Sequence, residues 1–292
     1  MIRTNFLLLI TAVAAHRSSA TAGPTLWPLP KKTTYGTSSR QMLPSKNFFD
    51  VRGTDSHATL NAAFDRYIGL TFPHATAPGS TKSIPSSTTP SMKGLTFIVA
   101  DLDESHPQLA TNESYLLSLP MAGNATCTCP TIYGAMHCLE TFSQLVSFSF
   151  NTETYLINNL PITIDDAPRF PHRGLMVDSA RHFETLASLR HIIDSLPFAK
   201  INVLHWHMVD TQSFPFQSKT YPKLWNGAFS EVEKFTQADI KTIVEYARLR
   251  GIRVMVEFDV PGHAASWCSK CSCHSCWLVD WLVGSLVRWF VG

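Results

Sequence analysis

In Lys200-Ile-Asn-Val-Leu-His-Trp-His-Met-Val-Asp210 a run of β-branched and apolar residues gives way to His205, His207 and Asp210, residue types that transfer protons or bind metals. An H-x-H pair puts both imidazoles on one strand face, a spacing that can hold a metal. No third ligand stands nearby in the sequence, so rim histidines tied up by hydrogen bonds are the plainer reading. Asp210, and Asp259 with His263, follow two successive strand candidates. A carboxylate that holds an imidazole fixes its tautomer and tunes its proton affinity for work on a third group; the structural alternative is an ion-paired loop histidine. Arg181, close after Asp178, either closes a structural ion pair or presents a fork of donors to hydroxyls or an anion.

These residues need elements to bring them to one place. Gly174-Leu-Met-Val-Asp178 reads as a short strand, and Leu186, Leu189, Ile192, Ile193 and Leu196 form one face of the helix that follows. The central strand 200–210 comes next. Thr236-Gln-Ala-Asp239 is a capping box that opens a second helix, with Gly251 just past its end, and Ile252 to Val260 gives a third strand. A β, α, β, α, β order predicts a parallel sheet, the opening of a (β/α)8 barrel or of a doubly wound sheet, with the polar residues at its carboxyl ends.

Upstream, residues 24–167 read as a small α+β domain. Pro24 to Tyr35 is an extended start, and Ser56 is placed to cap a helix carrying Leu60, Phe64, Tyr67 and Ile68. Residues 73–93 form an exposed loop, 95–100 and 114–119 are strands, 131–148 is a helix, and 155–164 holds one or two more strands. Pro168 to Pro171 is the linker, so the domains run 24–167 and 168–267.

Of 292 residues, 45% are hydrophobic and 16% charged, with a net charge of +2; the cores are amply supplied and no charge block marks a nucleic-acid partner. Arg3, the apolar run Phe6 to Ala15 and Ala20-Thr-Ala22 form a secretory signal pattern over 1–22. Sequons at Asn112 and Asn124 fit glycosylation in that compartment. Seven cysteines give no even disulfide framework. Four of them lie at 268, 271, 273 and 276 in a Cys-rich and then apolar tail, 268–292, whose spacing could chelate zinc; Trp277 to Val291, with Asp280 and Arg288, is too short for a membrane span.

Several long motifs share a resemblance. Arg173-Gly-Leu-Met-Val-Asp-Ser-Ala-Arg-His-Phe183, Asn202-Val-Leu-His-Trp-His-Met-Val-Asp210, Gln212-Ser-Phe-Pro215, Glu257-Phe-Asp-Val-Pro-Gly-His263 and Ser266-Trp267 resemble the family 20 glycoside hydrolases, the β-N-acetylhexosaminidases. So do Leu26-Trp-Pro-Leu-Pro30, Tyr133-Gly-Ala135 and Leu139-Glu-Thr-Phe-Ser-Gln-Leu145. The resemblance covers residues 25–267. It implies a small α+β domain followed by a (β/α)8 barrel, of which the first three βα units are present here. It implies hydrolysis of terminal N-acetylglucosamine or N-acetylgalactosamine from glycans, in a secreted, vacuolar or lysosomal protein, and it allows a homodimer of the full-length form. The implied chemistry needs no cofactor: the substrate's acetamido oxygen attacks its own anomeric carbon, an Asp orients the amide and the adjacent Glu protonates the leaving oxygen. By the same resemblance Arg181 holds hydroxyls of the terminal sugar, and Asp210 and His263 form a polar chain ending on the catalytic glutamate; Asp259, paired with His263 by its spacing, is placed behind them.

The Asp-Glu pair itself belongs in that family to a Gly-rich motif at the end of the fourth barrel strand. Here the only Asp-Glu dipeptide is Asp103-Glu104, and after Trp267 the sequence departs from the family pattern. Cys138 also stands where the family usually has glycine, and Thr126-Cys-Thr-Cys-Pro130 is foreign to that pattern. The expectation is a truncated chain with no hydrolase activity of its own and with uncovered apolar strand faces prone to aggregation. The other readings are a non-catalytic sugar-binding protein and a metal-binding protein using the tail cysteines or the H-x-H pair.

Overall fold

The computed structural model describes residues 23–53, 57–74 and 91–267. The segment 1–22, Ser56, most of the 73–93 loop and the tail from Cys268 lie outside them. The first unit comprises β1 (Lys32–Met42), β2 (Phe49–Val51), α1 (Ala58–Thr71), β3 (Leu95–Asp101), β4 (Tyr115–Leu119), β5 (Ala125–Thr131), α2 (Ile132–Leu145), β6 (Val146–Ser149) and β7 (Thr154–Asp166). Its seven strands form one sheet in the order β1-β7-β4-β5-β3-β2, with β6 also on β7. Alternate residues such as Phe97, Leu117, Cys127 and Ile164 share one core with Leu60 and Phe64 of α1 and Leu139 and Phe142 of α2.

Several elements differ from the sequence reading, for physical reasons. The supposed extended start contains the first residues of β1, a Thr- and Ser-rich edge strand whose partner is β7, from Lys32↔Asp165 to Met42↔Tyr155. Its strand character comes from pairing rather than from an apolar alternation. β5 contains Pro130, which argues against a strand; it is tolerated because the antiparallel pairing with β4 ends at Thr128. The helix expected over 131–148 stops at Leu145, and Val-Ser-Phe-Ser then pairs with β7. The segment 155–164 lies within one 13-residue strand, β7. His57 occupies the capping position of α1, the place proposed for Ser56.

The second unit comprises β8 (Gly174–Asp178), α3 (Leu186–Ser195), a 3-10 turn (Leu196–Ala199), β9 (Val203–Val209), α4 (Gln237–Arg248) and β10 (Arg253–Phe258). Its strands are parallel in the order β10-β9-β8. The capping box of α4 is complete: Thr236 Oγ1 accepts from Asp239 N at 3.1 Å, and Asp239 Oδ2 accepts from Thr236 N at 2.9 Å. Leu204, Trp206 and Met208 of β9 face Leu189 and Ile193 of α3 and Ile243 and Ala247 of α4 in a second core. Residues 200–202 of the expected central strand instead form its approach, with Lys200 in the left-handed region at φ 52°.

A buried polar seam joins the units at the amino-terminal end of the three strands. Arg173 donates to Glu113 Oε2 at 2.7 Å and to the Lys200 carbonyl at 2.7 Å, while Asn202 Nδ2 donates to Glu113 Oε1 at 3.0 Å. Lys200 Nζ reaches Asp166 Oδ2 at 2.8 Å and the Tyr115 hydroxyl at 2.9 Å. Burial opposes the charge on Glu113, but His137 and Arg173 outweigh it and hold its carboxyl below the usual range. Gly251, at φ 73°, sits against α2; a Cβ there would lie 3.2 Å from Tyr133 and 3.3 Å from Met136. Replacing Arg173 with Met should leave Glu113 buried without its guanidinium, held only by Asn202 and His137, at a cost of about 3–5 kcal/mol. The check is the free energy of urea unfolding, and a loss under about 1 kcal/mol would show that the pair does not hold the seam.

Candidate functional site

Strand register assembles the site. Asp178 of β8, His207 of β9 and Glu257 of β10 are direct partners across the parallel sheet, so their side chains leave the same face in one row. Met176, His205 and Met255 form the row beneath. The face opposite the helices therefore becomes polar at the carboxyl ends of the strands, which is where the loops carrying Arg181, Asp210 and His263 begin.

Asp210 is the centre of the cluster. It is 1% exposed and accepts from four donors. His207 Nε2 lies 2.8 Å from Oδ2, Arg181 Nη2 2.8 Å from Oδ2, His263 Nδ1 3.2 Å from Oδ2, and Thr211 N 2.6 Å from Oδ1. Ser266 Oγ donates to the Asp210 carbonyl. Arg181 also donates through Nη1 to Asp178 Oδ2 at 2.6 Å, yet its side chain stays 40% exposed, so part of the guanidinium fork faces solvent. His263, at φ 58° in the loop after β10, puts Nδ1 near both Asp210 and Arg181 Nη2. Arg181 has no acceptor, so a proton on Nδ1 can go only to Asp210, and in that tautomer Nε2 is an outward lone pair.

His207 bridges two carboxylates, with Nδ1 2.9 Å from Glu257 Oε2 and Nε2 2.8 Å from Asp210 Oδ2. Burial disfavours its charge, but the hydrogen bonds to Glu257 and Asp210 outweigh burial and raise its pKa above the ordinary value. Glu257 is lowered, chiefly by the bond from His207. Asp210 is lowered too, its donors overcoming the cost of burial. His205 Nε2 lies 2.6 Å from the same Glu257 oxygen.

The expected H-x-H pair thus does share a face, and Glu257 is the group that ties it up. Asp259 is not the principal partner of His263: its Oδ2 stands 4.0 Å from Nε2, whereas Asp210 is hydrogen-bonded to Nδ1. The loop after β10 turns the ring toward the more buried carboxylate. Asp178, His207 and Asp210 converge closely enough to suit a cation, but the Arg181 guanidinium already bridges the two carboxylates. The sequence marks His207 only as half of the H-x-H pair and gives no role to Glu257. Period-2 alternation puts His207 on the face of His205, but that Glu257 shares this face follows only from the register of β9 with β10. Asn112 and Asn124 are exposed in the first unit, away from this cluster.

Two family models match consecutive parts of the chain. Residues 26–145 match a model described as beta-acetyl hexosaminidase like, and residues 170–283 match the catalytic domain of glycosyl hydrolase family 20, a match that runs on past Trp267. The chain belongs to glycosyl hydrolase family 20. It is 41% identical over 273 residues to Beta-hexosaminidase 1 of Arabidopsis thaliana, covering 89% of this chain and 50% of that protein. With the beta-hexosaminidase subunit beta of Felis catus it shares 40% identity over 269 residues, 89% of this chain and 49% of that protein. The family 20 chain therefore spans about half the length of these curated relatives. Among solved structures, a Flavobacterium johnsoniae chitobiase superposes with a TM-score of 0.67 at 28% identity, over 84% of this chain and 36% of that one. The fold agrees likewise with an N-acetyl-beta-hexosaminidase from Streptomyces plicatus, at a TM-score of 0.66 and 24% identity over 88% and 50% of the two chains.

For this family 20 cluster the pH dependence has a defined sign. His207, raised on folding, contributes stability that is complete below its unfolded value of about 6.5 and is lost as pH rises through its folded pKa. Asp210 and Glu257, lowered on folding, contribute stability that is present above about 4 and is lost as pH falls through their folded values. A ring-nitrogen NMR titration should place the His207 midpoint above about 6.5. A midpoint below that value would mean the two-carboxylate bridge does not hold the imidazolium.

Proposed function

We propose that this rim binds the terminal non-reducing N-acetylhexosamine of a glycan, as part of a β-N-acetylhexosaminidase that cleaves it by substrate-assisted, retaining catalysis. The observation that carries this reading is Arg181, anchored on Asp178 and Asp210 yet open to solvent. A guanidinium fixed in this way offers its remaining N–H groups to vicinal hydroxyls with little loss of side-chain freedom. His263, oriented through Nδ1 by Asp210, presents Nε2 to a third group. In the relatives' chemistry that group is the glutamic acid that protonates the leaving oxygen. The same reading takes 1–22 as a cleaved signal, Asn112 and Asn124 as glycan acceptors, and a lumenal or extracellular site of action. No helix among the described residues is long and apolar enough to cross a membrane.

Residues 1–292 do not themselves carry the acid. Their one Asp-Glu dipeptide, Asp103-Glu104, packs against the last turn of α4, where Arg248 donates to the Glu104 carbonyl. That is the amino-terminal end of the barrel strands, opposite the rim. The proposal therefore separates binding from turnover. The 292-residue chain, expressed through a secretory host, should begin after Ala22, release no chromophore from an aryl N-acetylglucosaminide, and bind N-acetylglucosamine by calorimetry. Arg181→Ala should weaken that binding about tenfold, the loss expected for a charged hydrogen bond. Turnover would refute the separation, and equal affinity in the variant would refute the role of Arg181.

A further inference from the structure

The first unit holds a feature the glycosidase reading does not use, a line of three buried thiols between β5 and α2. Cys127, Cys129 and Cys138 are free and buried. Strand alternation puts Cys127 and Cys129 on the sheet face that α2 covers. The helix lies very close there, since a Cβ built on Gly134 would stand 3.2 Å from the Cys129 Cβ. Because α2 begins directly after β5, it runs back over the strand. One helical turn from Gly134 leads to Cys138, about 6 Å along, and one two-residue step back along the strand leads from Cys129 to Cys127, about 6.7 Å. The matched steps set Cys138 over Cys127. The electrostatics agree, since Cys127 and Cys138 each influence the other's proton affinity.

We propose that Cys127 and Cys138 form a disulfide under oxidising conditions, stapling α2 to the centre of the sheet. Cys129 is excluded as the covalent partner of Cys127. Residues i and i+2 on one strand face carry Cβ atoms about 6.5–7 Å apart, beyond the roughly 3.5–4.5 Å that a disulfide spans. The oxidant is a small-molecule disulfide such as oxidised glutathione. One cysteine thiolate attacks it, releasing one glutathione thiol and leaving a mixed disulfide; the other thiolate displaces the second glutathione. Two protons and two electrons leave the protein, and the glutathione S–S bond is reduced to two thiols. Burial pushes the Cys127 and Cys138 thiols up, so the exchange belongs to the stage before α2 closes on β5. After closure the bond is shielded from reductant.

The test refolds the full chain in a mixed reduced and oxidised glutathione buffer, quenches with acid, and alkylates under denaturing conditions without reduction. Chymotryptic cleavage after Tyr133 separates the strand cysteines from Cys138, and mass spectrometry reads the links. The expected product joins Cys127 to Cys138 with Cys129 alkylated, and Cys129→Ser leaves that link in place. Alkylation of both Cys127 and Cys138, or a link from either to Cys129 or to a cysteine of 268–276, overturns the proposal. A second measurement compares urea midpoints with and without reductant. The wild type should lose stability on reduction by more than Cys138→Ser does; an equal shift in both counts against the staple.

Discussion

A carboxylate at 1% exposure is tolerated only if donors replace the water it gives up, and Asp210 meets that demand with groups from three neighbouring strand ends. Arg181 comes from the loop after β8, His207 from β9 itself, and His263 from the loop after β10. Satisfying one buried charge therefore sets the relative positions of all three strand ends. It also decides what remains outward: the open side of the Arg181 fork and Nε2 of His263. The site is a by-product of neutralising Asp210, with the solvent-facing remainder available to a substrate.

The opposite ends of the same strands are fixed by a different set of charges. Glu113 with Arg173 and Asn202, and Asp166 with Lys200 and Tyr115, tie the start of β8 and the approach to β9 onto the seven-stranded sheet. Arg248 donates to Thr59 Oγ1 at 3.1 Å and extends the seam to α1. The first unit thus acts as a base plate for the barrel strands and leaves their carboxyl ends free to carry loops. Met176 and Met255, 54% and 39% exposed beside His205, show what the arrangement lacks among the described residues. Methionines flank His205 in a barrel layer laid down on three strands, with no further strand across from it among the described residues.

Much of the second unit was legible because its elements obey local rules. The capping box at Thr236, the Leu and Ile stripe of α3 and the short run Gly174–Asp178 each specify themselves. The first unit was less legible because its strands depend on partners. β1 has little apolar alternation of its own, β5 contains a proline, and β2 is three residues long. At the site, residue types pointed to Arg181, Asp210 and His263, but the bonding between them did not follow from spacing. Asp259 looked like the natural partner of His263 because it is four residues away, whereas the actual partner comes from the neighbouring strand. Glu257 stayed hidden for the same reason: its role depends on a register that only the folded sheet supplies.

The claim most exposed to refutation is that one carboxylate organises both histidines and the arginine. Asp210→Asn keeps the shape of the side chain while removing its charge and turning one acceptor into a donor. Ring-nitrogen NMR of the variant should show the signals of both His207 and His263 displaced, with the His207 midpoint moved down toward the ordinary value. If both rings keep their wild-type shifts and His207 titrates as before, Asp210 is not the centre of this site.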